Sequence, residues 1–505
     1  MARHTKYLIL LLTALLLTSC IRDESSVADI VLPGLHVEGA GSDELPVVNV
    51  DLGQPCIINP RIDYQADAAS LVCKWSIGTY ANGVKGKLKE VSHDRIFSYT
   101  FESGGTYYVH LVVTDGRQGV VSEWQVNVNR IFEEGYLLTA NDTDGHGNLT
   151  FVKVMTPEEV QAGRPQVIVE HALEYVNGLQ DVPELLNAVT GQITWPKVLT
   201  RVLVSLPDRC YFLDPNTFTA ISEISYTEFL PGFHATHFVQ DGYYSFAYDS
   251  RMKRYVHLDM QYMFPFEYQF YKGMPFEDFI TSEFSFSGSL YSKLFFADYS
   301  ASRVSEFNMY AAYSGSSNFP STGDLLTGRK VLTVFSGANV NPSTGIAPEY
   351  IMVENGRRVE LYTNAEQSYM GEKTFEMQTL VNRGSIAVPA QGTRFVASPR
   401  YNRHFYAVGS NVYVFLAGNT FSLPETDAPA ISFSEDEEVT FMRVNMATEE
   451  LYVGTYDNRA QRGSFYIFQT SDVRADNTAS PKPVAAFRHC TGRISNIIYK
   501  PSITN

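Results

Sequence analysis

The sequence predicts an all-β protein, an immunoglobulin-like β-sandwich followed by a β-propeller-like domain. Three observations predict it. Tyr (31) and Phe (32) far outnumber Trp (3), and Tyr and Phe suit half-buried pleated surfaces. Apolar and polar residues alternate in short runs bounded by Gly, Asp, Asn and Pro, which is the period of a strand. Helical periodicity is almost absent along the 505 residues. With 44% hydrophobic residues the chain belongs with folded globular proteins. It is longer than one hydrophobic core spans, so two or more domains are expected. The 39 basic and 55 acidic residues leave a net charge of −16, which opposes nucleic-acid binding and suits a solvated, externally displayed protein.

The chain opens on Arg3, His4 and Lys6, followed by a mostly apolar run from Tyr7 to Leu17. A basic head and a short apolar run read as an export signal over residues 1–19, too short to span a membrane. Leu17-Thr18-Ser19-Cys20 follows, and Leu, two small residues and Cys resemble the lipobox of bacterial lipoproteins. The resemblance implies acylation of Cys20, cleavage before it and attachment to a membrane through the N-terminal lipid. Two or more acyl chains give stable anchoring where one does not. Arg22-Asp23-Glu24 resembles the short acid-rich signal of surface-exported lipoproteins of the Bacteroidota, which implies an outer membrane lipoprotein exposed on the cell surface. No second apolar run reaches spanning length, so the expected anchor is lipid alone.

Residues 20–45 are rich in Ser, Gly, Asp and Glu and are broken at Pro33-Gly34 and Gly39-Ala40-Gly41. They read as a lipidated flexible tether, or, from Ile30 to Val37, as a segment packed on a neighbouring domain. Short strands then recur over residues 46–130. Val48, Val50 and Leu52 alternate with polar residues, and Cys56 and Ile58 share a face. Leu71, Cys73, Trp75 and Ile77 share another, and Ile96 to Phe101 makes a further strand. Tyr107, Val109, Leu111 and Val113 point inward, and after the loop Asp115 to Gly119 so do Trp124, Val126 and Val128. Many short alternating strands in so few residues indicate a β-sandwich with Trp75 in its core. The pattern Gly105-x-Tyr107-x-Val109-x-Leu111-x-Val113-x-Asp115, downstream of the Trp75 strand, resembles a PKD domain. The usual Trp-x-Phe-Gly-Asp-Gly is replaced by Trp75-Ser76-Ile77-Gly78-Thr79-Tyr80, so the domain is PKD-like. Such modules act mostly as spacers or contact surfaces, and the fold alone implies no activity.

Apart from Cys20, the cysteines are Cys56, Cys73, Cys210 and Cys490. An exported chain can oxidise them, and Cys56 with Cys73, both in the small domain, is the expected disulfide. Buried free thiols are the alternative, above all for Cys210 and Cys490. No Cys or His spacing suggests zinc.

Residues 131–505 read as strand after strand. The runs are Leu149 to Val154, Arg201 to Leu206, Tyr211 to Leu213, Tyr243 to Tyr248, Tyr255 to Leu258 and Lys293 to Ala297. They continue with Val331 to Phe335, Tyr350 to Val353, Val359 to Tyr362, Phe405 to Val408, Val412 to Leu416, Glu450 to Gly454 and Ser464 to Phe468. One helix is predicted at Thr156-Pro157-Glu158-Glu159, with an N-cap, a Pro at the first position and an acid at the third. So many short antiparallel strands close a barrel, stack two sheets or repeat radially. Blades of roughly 40–50 residues allow seven or eight of them, so a β-propeller is expected and one large sandwich is the alternative. The whole chain resembles the PKD-like lipoproteins of the Bacteroidota, a group associated with glycan- or peptide-uptake systems. The lipobox and sandwich carry that resemblance; the long second part shares only its architecture.

Local motifs for chemistry are sparse. Asn141 to Asn148 resembles a calcium loop without the full Asp-x-Asp-x-Asp-Gly spacing or the distal Glu, and a turn needs the same residues. His234 and His237 lack the Glu of a zinc helix and read as polar or packing residues, so no metal site is expected. Ten Tyr and Phe residues between Tyr262 and Phe286 fill a core between blades or, if exposed, form a docking surface. Ser434 to Glu438 reads as a solvated acidic loop. No nucleophile elbow, phosphate loop or His-Glu-x-x-His occurs, and no cofactor or catalytic residue is assigned. The expected function is that of a non-catalytic accessory or scaffold component of an outer-membrane nutrient-uptake system, meeting a glycan or peptide ligand or a transporter complex. The alternative is a propeller enzyme acting on an extracellular polysaccharide or peptide, which would gather carboxylates at one mouth of the ring.

Overall fold

The computed structural model describes residues 32–41, 44–81, 84–102, 104–180, 182–193, 199–241, 244–252, 254–259, 264–266, 278–281, 293–308, 321–337, 349–364, 375–382, 384–416, 422–476 and 480–502. Cys20 and residues 1–19, which read as an export signal in the sequence, lie outside these residues, as do most of the aromatic residues between Tyr262 and Phe286. The protein is all-β with many small sheets. It divides into two compact units, separated in sequence between Asn129 and Arg130. Among the described residues no helix is long and apolar enough to cross a membrane.

In the first unit Val47–Asp51, Gly119–Asn129, Gly105–Thr114 and Val72–Ala81 lie side by side in that order. Val47–Asp51 runs parallel to its neighbour and the rest are antiparallel. Two small sheets accompany this one, Leu35–Val37 with Ile62–Tyr64 and Pro55–Ile58 with Phe97–Thr100. The period of two puts Val109, Leu111, Val113, Trp124, Val126 and Val128 on one face, where they share a core with Val37, Ile58 and Phe97. Trp75 is fully buried there. Its ring lies 5.1 Å from Phe97 and 5.5 Å from Trp124, and its indole N–H donates to the Asp94 carbonyl at 2.8 Å, so its polar atom is satisfied. The segment before residue 45 is therefore partly packed: Val37 is wholly buried in this core.

Cys56 and Cys73, the pair expected to form a disulfide, are both buried in this core, each as a free thiol. They stand on strands of different sheets, Pro55–Ile58 and Val72–Ala81. Their surroundings are apolar, and burial pushes the Cys56 thiol up to about 11, away from the thiolate that exchange chemistry requires.

The second unit contains seven small sheets among the described residues. Six follow chain order as antiparallel meanders. The second sheet holds Asn187–Ile193, Leu199–Ser205, Arg209–Leu213 and Ala220–Ser225. The third holds His237–Asp241, Tyr244–Asp249, Arg254–Asp259 and Phe264–Phe266, and the fourth Asp278–Thr281, Lys293–Asp298 and Arg303–Asn308. Lys330–Ser336, Glu349–Asn355, Arg358–Asn364 and Phe375–Asn382 form the fifth. The sixth is Val396–Ser398, Arg403–Val408, Asn411–Phe415 and Ile431–Ser432. The seventh is Glu437–Asn445, Glu450–Asp457, Arg462–Gln469 and Ala485–Thr491. The first sheet differs. Gly135–Asn141, Gly147–Lys153 and Ile168–Val169 come from the start of the unit, and its fourth strand, Arg493–Lys500, comes from the end.

Apolar side chains fill the spaces between successive sheets. One core joins the first and second sheets through Leu137, Phe151, Val202 and Phe218. Others join the second to the third, the fourth to the fifth, the fifth to the sixth and the sixth to the seventh. A further core joins the seventh to the first through Leu138, Tyr452, Phe465 and Ile497. The predicted helix is observed at Pro157–Gln161. Its capping box is complete: Thr156 N–H donates to Glu159 Oε2 at 2.9 Å, and Glu159 N–H donates to Thr156 Oγ1 at 3.2 Å.

Candidate functional site

The junction of the first and seventh sheets carries a continuous polar network, built outward from the hairpin between Gly135–Asn141 and Gly147–Lys153. That hairpin is a turn. Asp142 N–H donates to the His146 carbonyl at 2.8 Å, and Gly145 closes it at φ +87, a conformation that suits glycine. Asp144 accepts the His146 N–H at 3.1 Å, and this bond leads the effects that hold its carboxyl low. The acids that resemble a calcium loop are thus occupied by the turn and its neighbours.

Asn148, wholly buried, is the hub. Its Nδ2 donates to Asp142 Oδ1 at 3.1 Å and to Glu170 Oε2 at 3.5 Å. Its Oδ1 accepts the Thr150 hydroxyl at 2.8 Å and the His171 N–H at 3.1 Å. The Thr150 hydroxyl lies 2.7 Å from that of Thr491, on the last strand of the seventh sheet. Glu170 Oε1 accepts from Arg462 Nη2 at 2.7 Å, and Arg462 also reaches the His489 carbonyl at 3.0 Å. His489 Nε2 stands 3.3 Å from Asp457 Oδ2. The Asp457 carboxyl is held low, first by the Ala460 N–H and then, against the cost of burial, by Arg459 N–H and His489.

His171 caps the short helix Ala172–Asn177, which ends at Gly178 in the left-handed region. Its ring lies between two carboxylates, with Nε2 3.2 Å from Asp142 Oδ2 and Nδ1 2.7 Å from Glu174 Oε2. Both His171 and His489 have φ of 50°. Non-glycine residues persist in that region only where the surroundings over-determine them. Gly492 lets the two sheets approach: a Cβ there would meet the Asn141 carbonyl oxygen and Asp142 Oδ1, each at 2.5 Å.

A second polar group stands at the start of the strands Glu437–Asn445 and Arg493–Lys500. Arg493 pairs with Glu438 at 2.8 Å and lies 5.2 Å over the Tyr456 ring. Glu437 Oε1 accepts from Tyr466 at 3.0 Å and Thr455 at 3.2 Å. Burial, with Glu437 beside it, pushes the Tyr466 phenol up to about 12. The acidic run is therefore only partly a solvated loop: Ser434 to Asp436 are exposed, while Glu437 and Glu438 are half-buried in a strand.

His234 and His237 are not joined in a metal site. The backbone N–H of His234 donates to Asp249 Oδ2 at 2.9 Å, and the His237 ring meets Thr236 Oγ1 at 2.9 Å. Among the described residues no group of three or more His, Cys, Asp or Glu side chains is placed to hold a metal ion. Cys210 and Cys490 are buried free thiols, each pushed up to about 12, chiefly by burial. Glu170, His171, Glu174, Arg462 and His489 escape sequence reasoning, because partners such as Glu170 and Arg462 lie about 300 residues apart with no local motif. The charged groups of this network face one another, so its chemistry is that of a clasp between loops.

No family model matches the chain, and no curated protein matches it. The PKD resemblance therefore rests on the residues quoted for it. Among solved structures, the chain is similar to a quinonprotein alcohol dehydrogenase-like protein from Bacteroides thetaiotaomicron, at 14% identity and a TM-score of 0.49, covering 92% of this chain and 99% of that one. It is also similar to an apocarotenoid oxygenase mutant from Synechocystis, at 11% identity and a TM-score of 0.35, covering 93% and 96%. A chain of a nidogen/laminin complex shares 11% identity at a TM-score of 0.32, over 59% of this chain and 97% of that one.

Proposed function

We propose that this protein is a lipid-anchored, surface-displayed accessory protein that binds or scaffolds within an outer-membrane system for glycan or peptide uptake. In this reading Cys20 carries the anchor and the following residues lift the protein off the lipid. The first unit is a PKD-like sandwich acting as a stalk, and the second is a closed seven-bladed propeller offering a rigid face. What supports closure is the strand Arg493–Lys500, which completes the first sheet from the far end of the chain. The observation that carries the non-catalytic part is the polar network itself: its carboxylates and imidazoles are spent on Arg462, Asn148 and each other. Groups used in that way hold loops in place.

A melting-temperature screen of a soluble chain starting near Ser26 tests the binding role, since a ligand that binds only the folded state raises apparent stability. The panel holds oligosaccharides, polysaccharides, peptides and divalent metals. A shift with a sugar or peptide that is returned unchanged after incubation is the expected result. Turnover of that same ligand would overturn the accessory role in favour of an enzyme, and no shift with any class would overturn direct ligand capture.

A further inference from the structure

We propose that His171 is a proton-operated latch on the junction between the first and seventh sheets, closed when the imidazole carries two protons. A neutral imidazole has one N–H and one lone pair, whereas the protonated ring has two N–H donors. Both ring nitrogens of His171 face carboxylate oxygens, Asp142 Oδ2 at 3.2 Å and Glu174 Oε2 at 2.7 Å. Both contacts are close ion-pair approaches rather than aligned hydrogen bonds, the one with Glu174 at a buried Nδ1. A neutral ring of either tautomer would turn a lone pair onto one of the two carboxylates. His489 and His110 differ, because each meets one carboxylate, Asp457 at 3.3 Å and Glu123 at 3.0 Å, and one N–H suffices there.

The groups around His171 reinforce the same state. The hairpin contributes Asp142, with Asp144 and His146 paired to each other at its tip. The helix and the strand end before it contribute Glu174 and Glu170, and the seventh sheet contributes Arg462, which is taken up by Glu170. Arg462 thus offsets one of the three nearest carboxylates, and the imidazolium serves the other two. The latch ties the hairpin at residues 141–147 to the segment 170–178, and Asn148 and Thr150 pass that tie to Thr491 on the seventh sheet. When the ring loses its second proton, one carboxylate contact loses its donor and the two segments are freed to open locally.

Hydrogen exchange of the whole protein, corrected for the intrinsic pH dependence of exchange, tests this at pH 6 and pH 8. The wild type is expected to exchange roughly three- to fivefold more slowly at pH 6 in residues 141–147 and 170–178, the size of one partly exposed ion pair. His171→Asn, a residue that tolerates the left-handed backbone, should lose that difference. Glu174→Gln keeps the ring and leaves it one carboxylate, so it should lose most of the difference as well. His489→Asn should keep it. Equal exchange at both pH values in the wild type, or an unchanged difference in His171→Asn, overturns the proposal.

Discussion

Lys500 is wholly buried, an uncommon position for an ammonium group. Its Nζ donates to the Glu133 carbonyl at 2.7 Å, and beside it Tyr499 donates to the Glu134 carboxylate. The last strand is thereby tied to the first residues of its own unit. Burial lowers its proton affinity, partly opposed by the carboxylates of Asp214, Glu133 and Glu134, and leaves it at about 8 against an ordinary 10.5. Between those values the unfolded chain binds the proton and the folded chain does not, so stability rises with pH across that window. Below about pH 8 the full cost of the buried charge is present. Urea titrations from pH 7.5 to 10 should show a rise on the order of 2 kcal/mol in the second unit, ending where the tyrosines of the unfolded chain begin to ionise. Lys500→Met should flatten that rise, and an equal rise in the variant would assign it to other groups.

At the scale of the strand, position in the sheet decides composition. The two middle strands of a sheet are covered on both faces, and Glu450–Asp457 and Arg462–Gln469 are buried along nearly their whole length. Such strands read as continuous apolar runs, and they are the ones visible in the sequence. The first and last strands carry more polar residues. Ala220–Ser225 holds no fully buried residue, and Glu437–Asn445 is half-buried through its first four residues. Neither reads as a strand in the sequence. Arg493–Lys500 is the most consequential of these, since Ile494 and Ile497 join the core between the seventh and first sheets. Ile497→Ala should lower the urea stability of the second unit by about 2–5 kcal/mol. A loss under about 1 kcal/mol, the range of ordinary surface changes, would mean that this strand adds little to the stability of the second unit.

For the whole molecule, the proposed placement at a membrane rests on Leu17 to Cys20. Cys20→Ala should move the protein from the membrane to the soluble fraction of cells, and continued membrane retention would remove the lipid anchor from the account. Intact cells treated with protease separate the two faces of the outer membrane: cleavage fits surface display, and protection alongside a cleaved surface control places the protein inside. The number of sheets also belongs to this scale. Units of roughly 40–50 residues allow seven or eight, and the structure describes seven in this unit because the last strand completes the first sheet instead of starting another.

The sequence by itself determined the all-β class, the inward faces of the first unit, the middle strands of the second and the capped helix at Pro157–Gln161. Each of these is set by neighbours a few residues away: alternation with a period of two places Val109, Leu111 and Val113 inside, and Thr156 finds Glu159 three residues on. Tertiary structure alone decided that Cys56 and Cys73 share one core, that Arg493–Lys500 belongs to the first sheet, and that His171 stands between Asp142 and Glu174. The contacts between the first and seventh sheets join residues some 300 positions apart, Glu170 to Arg462 and Thr150 to Thr491. A chain pays loop entropy to bring such residues together, and that cost rises only slowly with length. No local pattern needs to mark the partners, because the packing of the sheets on either side holds them in place.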